Sequence, residues 1–179
     1  MAMREIDPTP PAGTPPLLMR AAHAVLLDAA TLGTDVDLAG VVAATDSMRS
    51  YPHSAAEVVP ERLAGANVAI CNKTVLDDRI FTASSALELV LVTATGVNNI
   101  DLAAAAVRGI EVRHCRDYGT PAVAQHTLLL MLALHTGFLD YQHVLARGQW
   151  QRAQTFCLLD FPILELSGRT LGIFGRGAI

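Results

Sequence analysis

The sequence of 179 residues predicts an α/β fold with a parallel, doubly wound sheet, and three observations carry that reading. Apolar runs of strand length recur along the first two thirds of the chain, most of them near-continuous in apolar character, as strands covered on both faces should be. Segments with helix-favouring composition fall between these runs, and strand alternating with helix implies parallel pairing. The composition is 51% hydrophobic and 17% charged, with a net charge of −4. Average chains carry roughly 25% charged residues, so this one is built to bury surface, which excludes disorder as its dominant state.

Taken in order, residues 7–16 (DPTPPAGTPP) are proline-rich with little to bury, so residues 1–20 read as a flexible leader. The predicted strands are Ala24–Leu27, Val41–Ala44, Ala66–Cys71, Leu87–Thr93 and Ile110–Val112. Between the second and third, Ser54-Ala-Ala-Glu57 has the spacing of a capping box, with Gly65 suited to a left-handed helix stop. Pro60 conflicts with an interior helical position, so that helix should kink or start late. Asp101 to Arg108 favours helix strongly and ends at Gly109. Thr120-Pro121 then begins a helix, with threonine as cap and proline in the first turn. It runs to Gly137 and is apolar nearly all round, which predicts burial between two bodies. Residues 138–168 read as a shorter helix and an irregular stretch holding Trp150 and Pro162.

Several functions are disfavoured. A mildly acidic chain without a basic run argues against nucleic acid and anionic membrane as partners. Residues 118–139 carry no charge, but their unbroken apolar core is only Leu128–Leu134, against the roughly 18 residues of a membrane span. No basic, then apolar, signal segment opens the chain. Cys71, Cys115 and Cys157 form no C-x-x-C pair, so they read as buried small hydrophobes in a reducing compartment. His126, His135 and His143 show no i, i+4 pair and no carboxylate partner, so no metal site is expected; His126 reads as a packing residue.

The last residues are the most informative. A predicted strand, Thr170–Phe174, runs into Gly175-Arg176-Gly177-Ala178-Ile179. A G-x-G-x-x-G after a strand is a dinucleotide fingerprint, in which glycines permit a tight turn and close backbone approach to pyrophosphate. Two of its three glycines are present, and a G-x-G alone is equally compatible with a structural turn. The loop Thr95-Gly96-Val97-Asn98 lies between a predicted strand and helix, where doubly wound sheets bind ligands. Its amides suit a carboxylate, and Gly96 puts no Cβ in the way.

Read together, these segments resemble the D-isomer-specific 2-hydroxyacid dehydrogenases, in particular the glycerate dehydrogenase (hydroxypyruvate reductase) branch. The stretches that carry the resemblance are LLDAATLG at 26–33, ICNKTVLD at 70–77 and ATGVNNIDLAAA at 94–105. YGTPAVAQHTLLLMLAL at 118–134 and GQWQRAQTFCLLDFPILELSGRTLGIFGRGAI at 148–179 continue it. The resemblance implies a flavodoxin-like substrate domain, here residues 21–117, completed by a C-terminal helix of the whole enzyme. Residues 118–179 would be a crossing helix, a linker and the truncated start of a Rossmann nucleotide-binding domain.

It further implies hydride transfer between NAD or NADP and a small 2-hydroxy or 2-oxo acid such as hydroxypyruvate, glycerate or glyoxylate, in the cytoplasm. The family's arginine, glutamate and histidine lie beyond the fingerprint, so no catalytic residue is expected in this chain, which alone should be inactive. Substrate-binding roles carry over to Asn72, Thr95, Gly96 and Val97. Cofactor-binding roles carry over to Thr127, Gly175, Arg176, Gly177, Ala178 and Ile179. For Thr127, a hydroxyl bonded to its own preceding turn is an equal alternative. Lys73, the chain's sole lysine, reads as coding bias rather than a catalytic amine. Residues 121–150 are expected to form a homodimer interface, with an exposed apolar helix face in this chain by itself. The rival readings are a non-catalytic remnant, or a module that binds small carboxylates or dimerises; flavin mononucleotide binding is weaker, because no early strand is followed by a phosphate loop.

Overall fold

The computed structural model describes residues 22–175, which divide into two compact units at the Cys115–Arg116 junction. In the first unit, strands β1 (His23–Leu26), β2 (Ser47–Ser50), β3 (Val68–Cys71), β4 (Leu89–Val92) and β5 (Glu111–His114) form one sheet. Every pairing is parallel and the spatial order is β2-β1-β3-β4-β5. That is the doubly wound α/β sheet the sequence predicts, with the strand order of flavodoxin-like folds.

The central strands are apolar throughout because successive side chains serve opposite faces. Val25, Leu27, Ala69, Cys71, Val90 and Val92 point into the larger core. Helices α2 (Val59–Arg62), α3 (Asp78–Ala83) and α4 (Leu102–Val107) cover that side, contributing Val59, Ile80, Phe81 and Ala105. Ala24, Leu26, Val68 and Ile70 face the other way, toward Leu32, Leu38 and helix α1 (Ala39–Ala43). This second face is incompletely filled and holds a groove of about 250 Å³.

Two helices are set by their caps. Asp77 accepts from Ile80 N at 2.9 Å and Asp101 from Ala104 N at 2.9 Å, each satisfying an amide that helix geometry leaves unpaired. The α3 start is a feature the sequence reading passed over, although Asp77 ahead of an apolar pair is its signature.

Other expectations need correction. The run Val41–Ala44 is not a strand: it lies in α1 and its C-cap, and the strand there is β2. Val41 and Val42 are substantially exposed, so their apolarity does not report two-sided burial. The polar β2 is an edge strand held to β1 by backbone pairing, which needs no apolar pattern. Ser54 caps nothing. Its hydroxyl donates to Leu27 O and accepts from Arg62 Nη1, so α2 begins late, at Val59, with Pro60 in its first turn. Gly65, at φ +73°, takes the left-handed backbone expected of it.

The second unit carries α5 (Thr120–Thr136), α6 (Phe138–Ala146) and α7 (Gln149–Arg152). Gly119, not Thr120, occupies the N-cap of α5, and Gly137 ends it in the left-handed region at φ +60°. None of the three helices has a buried residue, so the predicted burial of α5 is absent from this chain, and His126 is exposed rather than packed. The exposed apolar face, also expected, is present: Leu128, Leu129, Leu132 and Leu134 are each at least half exposed. Trp150 sits in α7, not in an irregular stretch. Thr170–Phe174 makes no strand, because it has no ladder partner among the described residues, and Phe174 is fully exposed. Of the cysteines only Cys71 is buried; Cys115 is exposed and Cys157 half-buried. No single helix among the described residues is long and apolar enough to cross a membrane. The α5–α6 pair passes that test only jointly, with a 65° bend between them.

Candidate active site

The carboxyl edge of the first unit's sheet places three turns side by side: 28–31 after β1, 72–76 after β3 and 93–100 after β4. Parallel strands put all their exits on one edge, and helices then carry the chain away from it.

Asp28 organises the first two turns. It is 4% exposed, and its Oδ2 accepts from Lys73 N and Thr74 N at 2.7 Å each and from Thr74 Oγ1 at 2.9 Å. Asn72 N donates to Oδ1 at 2.9 Å. Successive backbone amides wrapped round one anion form a nest, here filled by the chain itself. Cys71, directly below, has its thiol pushed up to about 12, first by burial and then by the Asp28 charge, against a lowering hydrogen bond from Asn99.

The third turn is joined to the second by Asn99, whose Nδ2 donates to Thr74 O at 2.8 Å, and by a parallel bridge between Leu76 and Ile100. His114 Nδ1 donates to Thr95 O at 2.7 Å, which fixes the start of the turn from the β5 side. Val97 packs against the core while Thr95 and Gly96 are exposed. The N–H groups of Gly96, Val97 and Asn98 have no acceptor among the described residues. A Cβ built on Gly96 meets nothing within 4 Å, so the space above this turn is open.

Of the residues singled out in the sequence, Asn72, Thr95, Gly96 and Val97 therefore share one edge of one sheet. Asn72 is nevertheless turned inward: its Nδ2 donates to Thr31 Oγ1 at 3.0 Å, and its Oδ1 is buried without a partner. Thr127 Oγ1 donates to Val123 O at 2.8 Å, the local alternative considered for it. Gly175 has φ +101°, a backbone suited to a glycine turn, whereas Arg176, Gly177, Ala178 and Ile179 lie outside the described residues. Sequence reasoning missed Asp28, Thr31, Thr74 and Asn99. A signal was there for Asp28, a carboxylate directly ending an apolar strand.

The sheet order and ligand-ready edge define a doubly wound α/β protein with a flavodoxin-like strand order, and comparison with known proteins supplies the family. The catalytic-domain model of the D-isomer specific 2-hydroxyacid dehydrogenases matches residues 35–173, and the chain belongs to that family. It is 38% identical over 123 residues to a glycerate dehydrogenase of Methylorubrum extorquens, covering 69% of this chain and 39% of the relative. It is 34% identical over 125 residues to a hydroxypyruvate reductase of Blautia hydrogenotrophica, covering 69% and 38%. The chain thus spans about two fifths of the length of these curated relatives. Among solved structures, an NADPH-dependent glyoxylate/hydroxypyruvate reductase of Sinorhizobium meliloti superposes with a TM-score of 0.65 at 22% identity. That match covers 89% of this chain and 48% of the other, and it shows the fold.

Proposed function

We propose that this chain supplies the substrate-binding part of an NAD- or NADP-dependent oxidoreductase acting on a small 2-hydroxy or 2-oxo acid of the hydroxypyruvate, glycerate or glyoxylate type. The observation that carries this reading is the 95–98 turn. Its unpaired amides at Gly96, Val97 and Asn98 stand at the carboxyl edge of a parallel sheet, with open space above Gly96. Such amides complement a carboxylate by hydrogen bonding and by their aligned dipoles. The names of the 34–38% identical relatives agree with that substrate class.

In this reading Thr95, Gly96 and Val97 hold the substrate carboxylate, and Asn72 holds the neighbouring β1 turn through Thr31. Gly175 to Ile179 begin the cofactor turn, to which the positive φ of Gly175 is suited, and Thr127 lies toward the nicotinamide end. The bound nicotinamide supplies or accepts the hydride; no residue of this chain is assigned a proton-transfer role. The protein is cytoplasmic, binds neither nucleic acid nor membrane, and pairs as a homodimer through residues 121–150, whose apolar face is exposed.

Titrating the 179-residue chain with glyoxylate or hydroxypyruvate tests the site. The Gly96, Val97 and Asn98 amide resonances should move in a saturable way, and Gly96→Ala should abolish the movement while leaving the fold intact. Shifts scattered elsewhere, or none, would overturn the assignment. The chain alone should not oxidise NADH with hydroxypyruvate, and sequencing the coding DNA past the Ile179 codon tests whether the remaining dehydrogenase residues follow. A module that only binds small carboxylates is the second reading, favoured by the completeness of the turn within the first unit; an in-frame stop directly after Ile179 would select it.

A further inference from the structure

We propose that Asp28 is a positioning residue: it fills the crevice between the β1 and β3 turns from within, and so confines ligand binding to the β4 turn and holds that turn in shape. The inference rests on the carboxylate-binding reading of the 95–98 turn and extends it to a residue that touches no ligand.

In a sheet of order β2-β1-β3-β4-β5, the connections after β1 and β3 leave in opposite directions, and the crevice between them is the usual ligand site of such folds. Here that crevice has the makings of an anion site, with consecutive amides at Asn72, Lys73 and Thr74 and the Thr74 hydroxyl converging on one point. The point is occupied by the Asp28 carboxylate, which is almost fully buried. A ligand phosphate or carboxylate would have to displace an anion tethered to β1 and already holding these donors. The crevice is closed by the chain's own chemistry.

The same carboxylate reaches the neighbouring turn through two linked contacts. It fixes Thr74, whose carbonyl accepts from Asn99 Nδ2 at 2.8 Å. Asn99 in turn accepts from Leu76 N at 2.9 Å through its carbonyl, and the next residue, Ile100, donates to Val97 O at 3.0 Å. Asp28, Thr74, Asn99 and Val97 therefore form a continuous chain of hydrogen-bonded segments from the closed crevice to the open amides. The inward turn of Asn72 belongs to the same arrangement. Its Nδ2 is spent on Thr31, whose own hydroxyl donates to Asp28 O at 2.8 Å, so Asn72 clamps the β1 turn rather than reaching for ligand.

The experiment compares the 179-residue chain with Asp28→Ala by amide-resolved NMR, using glyoxylate and acetate as probes. In the variant, the Asn72, Lys73 and Thr74 amides should lose exchange protection, the Gly96 to Asn98 resonances should move, and glyoxylate should bind at least tenfold more weakly. Acetate should shift the 72–74 amides in the variant alone, because the vacated nest now takes an external carboxylate. Unchanged 96–98 resonances together with unchanged glyoxylate affinity would overturn the proposal, whatever happens to 72–74.

Should Asp28→Ala not fold, Thr74→Val and Thr74→Ser decide. Only valine removes the hydroxyl donor, so valine should weaken binding about threefold while serine matches the parent. Equal behaviour of the two overturns the proposal. A parent chain that binds no 2-oxo acid would sink the functional reading instead. Movement of the 96–98 resonances in Asp28→Ala, or in Thr74→Val but not Thr74→Ser, would then sustain the positioning role by itself, and its absence would remove it.

Discussion

Residues 22–115 and 116–175 have much the same appetite for burial and opposite success in achieving it. Every buried side chain among the described residues, from Ala24 to Ile110, belongs to the first unit. The second has none, although α5 alone carries the apolar run Leu128–Leu134. The difference lies in geometry. A five-stranded parallel sheet offers two broad faces, and crossover helices return to cover at least one of them as a consequence of connectivity. A helix that is apolar nearly all round needs neighbours on several sides, and α5 has no buried residue beside α6 and α7. Apolar sequence therefore reports a demand for burial, and the architecture decides whether the chain meets that demand itself.

The comparison is most easily broken by truncating one side chain in each unit. Phe81→Ala, at a site 1% exposed, should cost about 3–5 kcal/mol of unfolding free energy in urea titrations followed by circular dichroism. Leu132→Ala, at 51% exposure, should change the stability of the chain by no more than about 0.5 kcal/mol. A comparable loss from both would mean that α5 is covered after all.

If the α5 face is instead covered by a second copy, Leu128→Glu with Leu132→Glu should weaken self-association tenfold or more, about 1.4 kcal/mol or more, in sedimentation equilibrium. The first unit should keep its unfolding midpoint. Monomeric parent protein at all concentrations would remove the dimer proposal.

A smaller effect sharpens the account of the first unit. Asp77→Ala and Asp101→Ala should each cost about 1 kcal/mol, since each deletes one helix-capping acceptor. Thermal melts of the two variants, and of the double variant, measure this directly.

The smallest effect at neutral pH is that of Cys71, whose thiol is pushed up to about 12 from an ordinary 9.0. The native state holds this proton more tightly than the unfolded chain does, so the thiol leaves stability unchanged below about pH 9. Stability should then fall as pH rises through 9 toward 12. Cys71→Ala should flatten that alkaline decline. In thiol labelling at pH 8, Cys115 should react fastest, whereas Cys71 should wait for unfolding.

How far the residues themselves disclosed the molecule varies from element to element. β1, β3 and β4 were legible because buried parallel strands must be apolar on both faces, and α4 because alanine, a capping aspartate and a terminal glycine agree; β5, at the other edge of the sheet, was marked only by the short run Ile110–Val112 at its start. β2 was not, since Ser47–Ser50 is held at an edge by backbone bonds that leave no trace in side-chain type. The 41–44 run misled for the converse reason: two valines on a short, exposed helix look like a strand when only composition is read. At the site, the 95–98 turn could be found from its glycine and its position after a strand. The part played by Asp28 could not, because its partners lie 44 to 46 residues away.

Local chemistry is what the sequence determined by itself: the alternation of strand and helix, the stop at Gly109, the glycine-bearing turn ahead of Asp101, and the family that their joint order reveals. Tertiary structure decided everything that depends on distant residues meeting. It chose the edge strand, turned Asn72 inward, filled the β1/β3 crevice with Asp28, and left α5 uncovered. The physical reason is the range of the interactions. Periodicity, capping and turn preference act within a few residues and are written along the chain, whereas burial and hydrogen-bond partnership are settled only when the strands assemble.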